Sequence, residues 1–211
     1  MRAEVEAKFV VDDPGAATTL ASVGSLGFAE LGPGRVVPEV DRYLDTADGA
    51  LAAARWACRL RERLGAIRVS LKGPAEATPG AWHHRRPEVE GPATASTDPA
   101  DWPESEARRR LVELSGGSAL VERFELRQQR TERPVLVDGT PVAVLSLDRV
   151  DVLADGSAVG RLHVVELELA SDDALPGDRF ASLAHELEAR PGLRPDPRSK
   201  LEHAMGLLMA R

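Results

Sequence analysis

The chain has 211 residues, a net charge of −7 and a single cysteine, with 43% hydrophobic but only 4% aromatic residues. That length suits one large domain with a core of Leu, Val and Ala, and an acidic balance without a long basic run argues against general nucleic-acid binding. Cys58 stands alone, which excludes an intrachain disulfide and points to a cytoplasmic setting. No run of about 18 apolar residues is present to cross a membrane, and the charged N-terminus lacks an apolar leader segment.

Residues 2–10 read as a first strand, because Val5, Ala7 and Phe9 alternate with Glu4, Glu6 and Lys8. Asp12-Asp13-Pro14 starts a helix that 16–23 continues, proline being tolerated in the first turn. A strand over 36–44 follows, with Asp41, Tyr43 and Asp45 on one parity. Strands over 57–64 and 67–72 flank Gly65-Ala66, a hairpin signal. Residues 74–81 are a loop. The next strand covers 83–90, where Pro87 suggests an edge or a bulge.

Residues 91–102 are loop-like. A helix over 103–115 has Leu111, Val112 and Leu114 on its apolar side and ends at Gly116-Gly117. A strand over 124–137, bent at Pro134, turns at Asp138-Gly139 into a strand over 142–153. Asp155-Gly156 turns again into a last strand over 158–170. Helices over 177–189 and 198–209 close the chain. No repeat and no linker interrupts this order, so it reads as a single domain over 1–211. Its class is α+β, mostly antiparallel, with enough strands to curl into a barrel.

Successive strand residues face opposite ways. Val5, Phe9, Trp56, Leu60, Val69, Leu71, Val165 and Leu167 then share an apolar side that helices can cover. Glu4, Glu6, Lys8, Arg59, Arg61, Lys72, Arg86, Glu88, Glu90, Arg127, Asp148, Glu166 and Glu168 share the other. A sheet with one solvated face also alternates. Here, however, the charges sort by sign: Glu-rich strands begin and end the chain, with Arg- and Lys-rich strands between. An inward lining of this kind is costly unless its charges pair or bind ions. Guanidinium and ammonium groups clamp phosphoryl oxygens, and carboxylates take hard divalent cations.

Other conspicuous residues read more plainly. His83 and His84 are neighbours in a strand and point apart, so they do not form a shared metal site. His185 and His203 fall on helices and read as exposed. Cys58 reads as a small buried hydrophobe with no histidine motif to make it a nucleophile. Gly32-Pro33-Gly34 is a turn without phosphate-loop spacing.

Glu4-x-Glu6-x-Lys8 resembles the signature of the CYTH family, the triphosphate tunnel metalloenzymes, named for class IV adenylate cyclases and thiamine triphosphatases. Tyr43-Leu44-Asp45-Thr46, Arg59-Leu60-Arg61, Lys72-Gly73, Arg86-x-Glu88-x-Glu90, a basic strand over 127–133, Leu147-Asp148, Glu166-Leu167-Glu168 and Ser199-Lys200 follow in the family's order. The resemblance spans nearly the whole chain. One departure lies in the basic strand, where the family has two cations at alternate positions. Here Gln129 falls on the Arg127 face and Arg130 on the opposite one, so both arginines stay candidates.

The resemblance implies an eight-stranded antiparallel β-barrel around a tunnel, with a charged lumen and helices outside. It implies a metal-dependent hydrolase of linear triphosphates, with inorganic triphosphate as first substrate. Arg59, Arg61, Lys72, Arg86, Arg127 or Arg130, and Lys200 would hold the phosphates, with Lys8 close by. Glu4, Glu6, Glu166 and Glu168 would hold Mg²⁺ or Mn²⁺. Glu88, Glu90 and Asp148 would support the groups that touch the substrate from behind or orient the attacking water. A class IV adenylate cyclase, a thiamine or other organic triphosphatase, and a non-catalytic polyphosphate or nucleotide binder are the alternatives. Ser199 and Glu202 form a capping box that sets Lys200 at a helix start. Crowding among like cations predicts that losing Arg61 does not destabilise the protein, and an ammonium that opposes the helix dipole predicts that losing Lys200 leaves stability unchanged or slightly raised.

Overall fold

A computed structural model describes residues 2–74, 83–171, 173–196 and 198–210. In chain order these form β1 (Arg2–Val11), α1 (Pro14–Ser22), β2 (Ser25–Leu26), β3 (Ala29–Leu31), β4 (Arg35–Thr46), α2 (Ala50–Ala53), β5 (Ala57–Arg63), β6 (Ala66–Lys72) and β7 (His83–Pro92). A 3₁₀ turn (Pro99–Asp101), α3 (Glu106–Ser115), β8 (Leu120–Val137), β9 (Thr140–Ala154), β10 (Ser157–Leu169), α4 (Gly177–Glu188), β11 (Leu193–Pro195) and α5 (Lys200–Met209) complete it. The expected loop over 74–81 lies, beyond Pro74, outside the described residues, as do the side chains of His83 and His84.

The strands β8, β4, β5, β6, β7, β1, β10 and β9 lie side by side in that order, and β9 pairs back onto β8. Eight strands thus close a ring in which each pairing is antiparallel. β2 and β3 extend from β8, and β11 adds to β1 outside the ring. These short pieces and the single turn of α2 carry too few residues to show a period, and the sequence does not announce them. The hairpins do announce themselves: Asp138-Gly139 and Asp155-Gly156 both adopt positive φ, as a two-residue turn requires. The β5–β6 turn is Leu64-Gly65, one residue earlier than expected, with an exposed Leu64 accepting a φ of 52°.

Pro87 lies in a strand paired on both sides. Its carbonyl accepts from Gly73 just past the end of β6, so the missing proline N–H falls where that ladder has already stopped.

The greasy parity faces outward. Ala7, Phe9, Leu145, Val165 and Leu167 pack under α1 and α4 with Leu20, Phe180 and Leu183. Cys58, Leu60, Val69, Leu71 and Val89 pack with Leu51 of α2 and with Ala107 and Leu111 of α3. Val112, expected on that apolar side, is turned to solvent. Arg133 is buried on the outer side of the ring and donates to the carbonyls of Leu20, Val23, Leu31 and Gly32. It satisfies acceptors left over at the end of α1 and around β3.

A third cluster lies inside. Tyr43, Phe124, Leu126, Val150 and Val152 share parity with the ring's polar lining and meet Ala204 of α5, with Leu201, Leu207 and Leu208 against them. α5 therefore packs into the ring rather than around it. Ser199 accepts from the Glu202 backbone and Glu202 accepts from the Ser199 backbone, so the expected capping box forms. Gly160 of β10 seats the helix: a Cβ there would stand 2.7 Å from Leu207 Cδ1. Asp196, whose N–H donates to the Lys8 carbonyl, lies 3.3 Å from His203. His203 is half-buried against it, not exposed as expected, and burial first of all lowers its pKa. His185 is exposed.

Candidate functional site

Inside the ring lies a cavity of about 700 Å³. Its lining includes Glu4, Glu6 and Lys8 from β1, Arg59 and Arg61 from β5, Lys72 from β6, Arg86, Glu88 and Glu90 from β7, Arg130 from β8, Glu166 and Glu168 from β10, and Lys200 from α5. One period of two in each strand, repeated around the ring, brings these distant residues together. Trp56, expected to face outward, also reaches the cavity wall while packing against the outer cluster.

The geometry decides between the two arginines of the basic strand. Phe124, Leu126, Gln128 and Arg130 are buried on the inner face of β8, and Arg130 pairs with Asp148 at 2.7 Å. Arg127 faces out, its side chain 62% exposed and bound to Glu125, so it leaves the candidate set. No bulge is needed, because the apolar residues Phe124 and Leu126 fix the parity of the strand.

Opposite charges face each other across the ladders. Glu4 lies in register with Arg86, Lys8 with Glu166, Asp41 with Arg61, Glu39 with Arg63, and Arg130 with Asp148. Glu4 accepts from Lys72 and Arg86, both at 2.6 Å. Glu6 accepts from Lys8 at 2.7 Å and Arg86 at 2.8 Å. Glu166 accepts from Arg130 and, at 3.0 Å, from Lys200. Lys200 also donates to Asp148. Asp148 does not line the cavity; it holds Arg130 and Lys200 from behind, the supporting one of the two roles expected of it.

These contacts set the protonation states. Burial alone would raise Glu4, but Lys72 and Arg86 outweigh it and hold the carboxyl well below its usual range. Burial is likewise outweighed at Glu166 by Lys200, Arg130 and Lys8. Lys72 goes the other way: burial and then Arg86 lower its pKa despite Glu4. Glu168 differs from the other carboxylates. Among the described residues no hydrogen bond or ion pair holds it, and burial, then Glu4, Glu6 and Glu166, push it up to about 7 against a partial offset from Lys72.

The sequence reading missed a set of residues behind and beside this lining. Glu39 and Asp41 of β4 are buried beneath the β5 arginines, and Arg63, Glu132 and Ser146 complete the wall. The parity of Asp41 with Tyr43 was legible; that it turned inward was not. Asp45 of the Tyr43-Leu44-Asp45-Thr46 run has a structural task, accepting from the N–H groups of Thr46, Leu51 and Ala52 at the start of α2.

The described Asp, Glu, His and Cys side chains hold no group of three in metal-binding geometry. Glu4, Glu6 and Glu166 are instead drawn onto ammonium and guanidinium groups. No helix among the described residues is long and apolar enough to cross a membrane.

The chain belongs to the CYTH domain family, whose model matches residues 2–204. Its fold is similar to that of a candidate adenylyl cyclase from Hippeastrum with a dominant triphosphatase activity, at TM-score 0.71 and 21% identity, over 96% of this chain and 95% of that one. It is similar also to a candidate adenylate cyclase from Bacillus halodurans (TM-score 0.60, 19% identity, 96% and 98% covered). The capping-enzyme triphosphatase of Mimivirus matches at TM-score 0.50 and 10% identity, with 88% of each chain covered. At these identities the likeness is one of fold. No curated protein matches the sequence.

Proposed function

We propose that the chain is a divalent-metal-dependent hydrolase of linear triphosphates, with inorganic triphosphate as its first substrate. The observation that carries the reading is the cavity itself, where Arg59, Arg61, Lys72, Arg86, Arg130, Lys200 and Lys8 converge on one volume inside the ring. So many cations around one space suit a ligand with negative charge spread along its length.

The carboxylates fit a divalent cation by their chemistry. They are hard oxygen donors, as Mg²⁺ and Mn²⁺ prefer. Glu168, without a cationic partner among the described residues, lies in register with Glu6 and feels the charge of Glu4. Glu4, Glu6 and Glu168, with Glu166, would hold the ion, which supplies positive charge beside the phosphoryl oxygens and acidifies water. The cations of this chain would neutralise and align the phosphates for in-line attack. Glu88 and Glu90 would orient the water that attacks the terminal phosphorus, breaking its anhydride bond and releasing pyrophosphate and phosphate. Catalysis in this scheme is mostly positioning and electrostatics.

A cyclase reading has support in the names of two of the structural neighbours and would use the same cavity, with a ribose hydroxyl as the nucleophile. Incubation with inorganic triphosphate, ATP and thiamine triphosphate in Mg²⁺ or Mn²⁺, with product analysis, tests the assignment. Pyrophosphate and phosphate from triphosphate are expected. Cyclic AMP from ATP would make the chain a cyclase, and no product from any of them would make it a binding module.

A further inference from the structure

Behind the arginines of β5 lies a layer of acidic and amide side chains that does not reach the cavity. Asp41 is 0% exposed and Glu39 2%, and neither lines the wall. Asp41 accepts from Arg61 Nε and Nη2, each at 2.7 Å, the two-point grip that matches a guanidinium fork to a carboxylate. Its Oδ2 also stands 3.5 Å from Arg59 Nη1. Glu39 lies 3.2 Å from Arg61 Nη2 and accepts from Arg63 at 2.7 Å. Gln128 Nε2 bridges the two carboxylates, at 2.8 Å from Glu39 and 3.0 Å from Asp41.

This grip determines which edge of each guanidinium is left over. Arg61 spends Nε and Nη2 on Asp41 and has Nη1 without a partner among the described residues. Arg59 spends Nη2 on Ser70 at 3.2 Å, and its buried Nε has no partner. A long, flexible arginine in an enclosed site aligns a phosphate only if its own rotation is stopped. In the absence of ligand, Asp41 is the group that stops it.

The geometry points to Asp41 as the positioning residue of the arginine row, acting through Arg61 and secondarily Arg59, with Glu39 and Gln128 fixing Asp41 in turn. The inference rests on the triphosphate reading above. Asp41 touches no substrate; its task is to present the free Nη1 edge of Arg61 at a fixed angle and to hold Arg59 beside it. A further sign follows. Asp41 also cancels one positive charge, so its loss should not weaken the attraction for a polyanion while it degrades alignment.

The test is a double-mutant cycle read by kinetics, calorimetry and NMR. Asp41→Asn should lower kcat by on the order of 10-fold or more, while triphosphate binds with unchanged or greater affinity and unchanged stoichiometry. In an Arg61→Ala background, Asp41→Asn should cost much less than in the wild type. Asp41→Glu keeps the charge but moves it by a methylene. It should remain slow, and it serves where Asp41→Asn folds poorly. The Arg61 Nε–H resonance should be protected from exchange in the wild type and should lose protection in both variants.

Equal cost of Asp41→Asn in both backgrounds, or full activity in Asp41→Glu, would overturn the assignment. So would falling stoichiometry with intact kinetics per folded molecule, which would mark Asp41 as merely structural. If the wild type neither binds nor turns over triphosphate, the substrate reading fails. The exchange measurement then still decides whether Asp41 fixes the arginines.

Discussion

Glu6 and Glu168 stand directly opposite each other on β1 and β10, both at the cavity, and among the described residues Glu168 has no cation of its own. Its carboxyl is pushed from 4.5 up to about 7 by burial and by the neighbouring carboxylates. In the folded state it therefore keeps a proton between these values that the unfolded chain has released. More protons on the folded side means that stability falls as pH rises through this window. In metal-free protein the fall should reach up to about 3 kcal/mol, read by urea unfolding at pH 4.5 and pH 8. Glu168→Gln should flatten it, and Mg²⁺ or Mn²⁺ should suppress it. A wild-type profile already flat in chelator would refute this account.

Arg61→Ala should lower kcat/KM by on the order of 10²-fold. Its effect on stability has the opposite sign to the one expected from crowded like charges. Arg61 grips a fully buried Asp41, so its removal leaves that carboxylate with only Gln128 and the longer contact to Arg59 and should destabilise by about 3 kcal/mol. Denaturant melts of the variant measure it; an unchanged midpoint would contradict the pairing.

Lys200→Ala should weaken the thermal shift that triphosphate produces. Since Lys200 is buried against Asp148 and Glu166, the variant should also melt below the wild type, reversing the neutral outcome expected from the sequence. A full-sized ligand-induced shift would remove Lys200 from the site.

Gly160→Val should act on the same element from the other side. A side chain at Gly160 collides with the Leu207 side chain, so Leu207 or the helix that carries it must give way, at about 1–3 kcal/mol. Because α5 carries Lys200, the ligand-induced shift should shrink as well. An undisturbed melting curve would show that the helix has room to spare.

Arg127→Ala should behave like the wild type in kinetics and lie within about 0.5 kcal/mol in stability, whereas Arg130→Ala should lose activity. Parallel assays of the two variants decide this. Loss of activity in Arg127→Ala would reopen the choice between the two arginines.

Much of this was legible because strand periodicity is simple. Glu4, Glu6 and Lys8, Arg59 and Arg61, and Glu166 and Glu168 alternate with residues that had to be buried, and the ring places each on the expected side. β8 resisted because both of its parities carry arginines, one solvated and one inward. Only the burial of Phe124 and Leu126 by α5, a contact between distant segments, settles the face. Glu39 and Asp41 were hidden for a related reason. A carboxylate that serves an arginine looks the same in sequence as one that faces water, and only the register of β4 on β5 reveals its partner.

Two of the apolar clusters lie on the outer surface of the ring wall, under α1 and α4 on one side and α2 and α3 on the other. Over most of the ring the shell therefore draws its oily cohesion from the outer side of the strands and displays its chemistry on the inner one, α5 being the exception that brings apolar packing inside. A substitution in the lining disturbs ion pairs but leaves that external packing intact. Such a vessel can be refitted from within, residue by residue, while its walls stand.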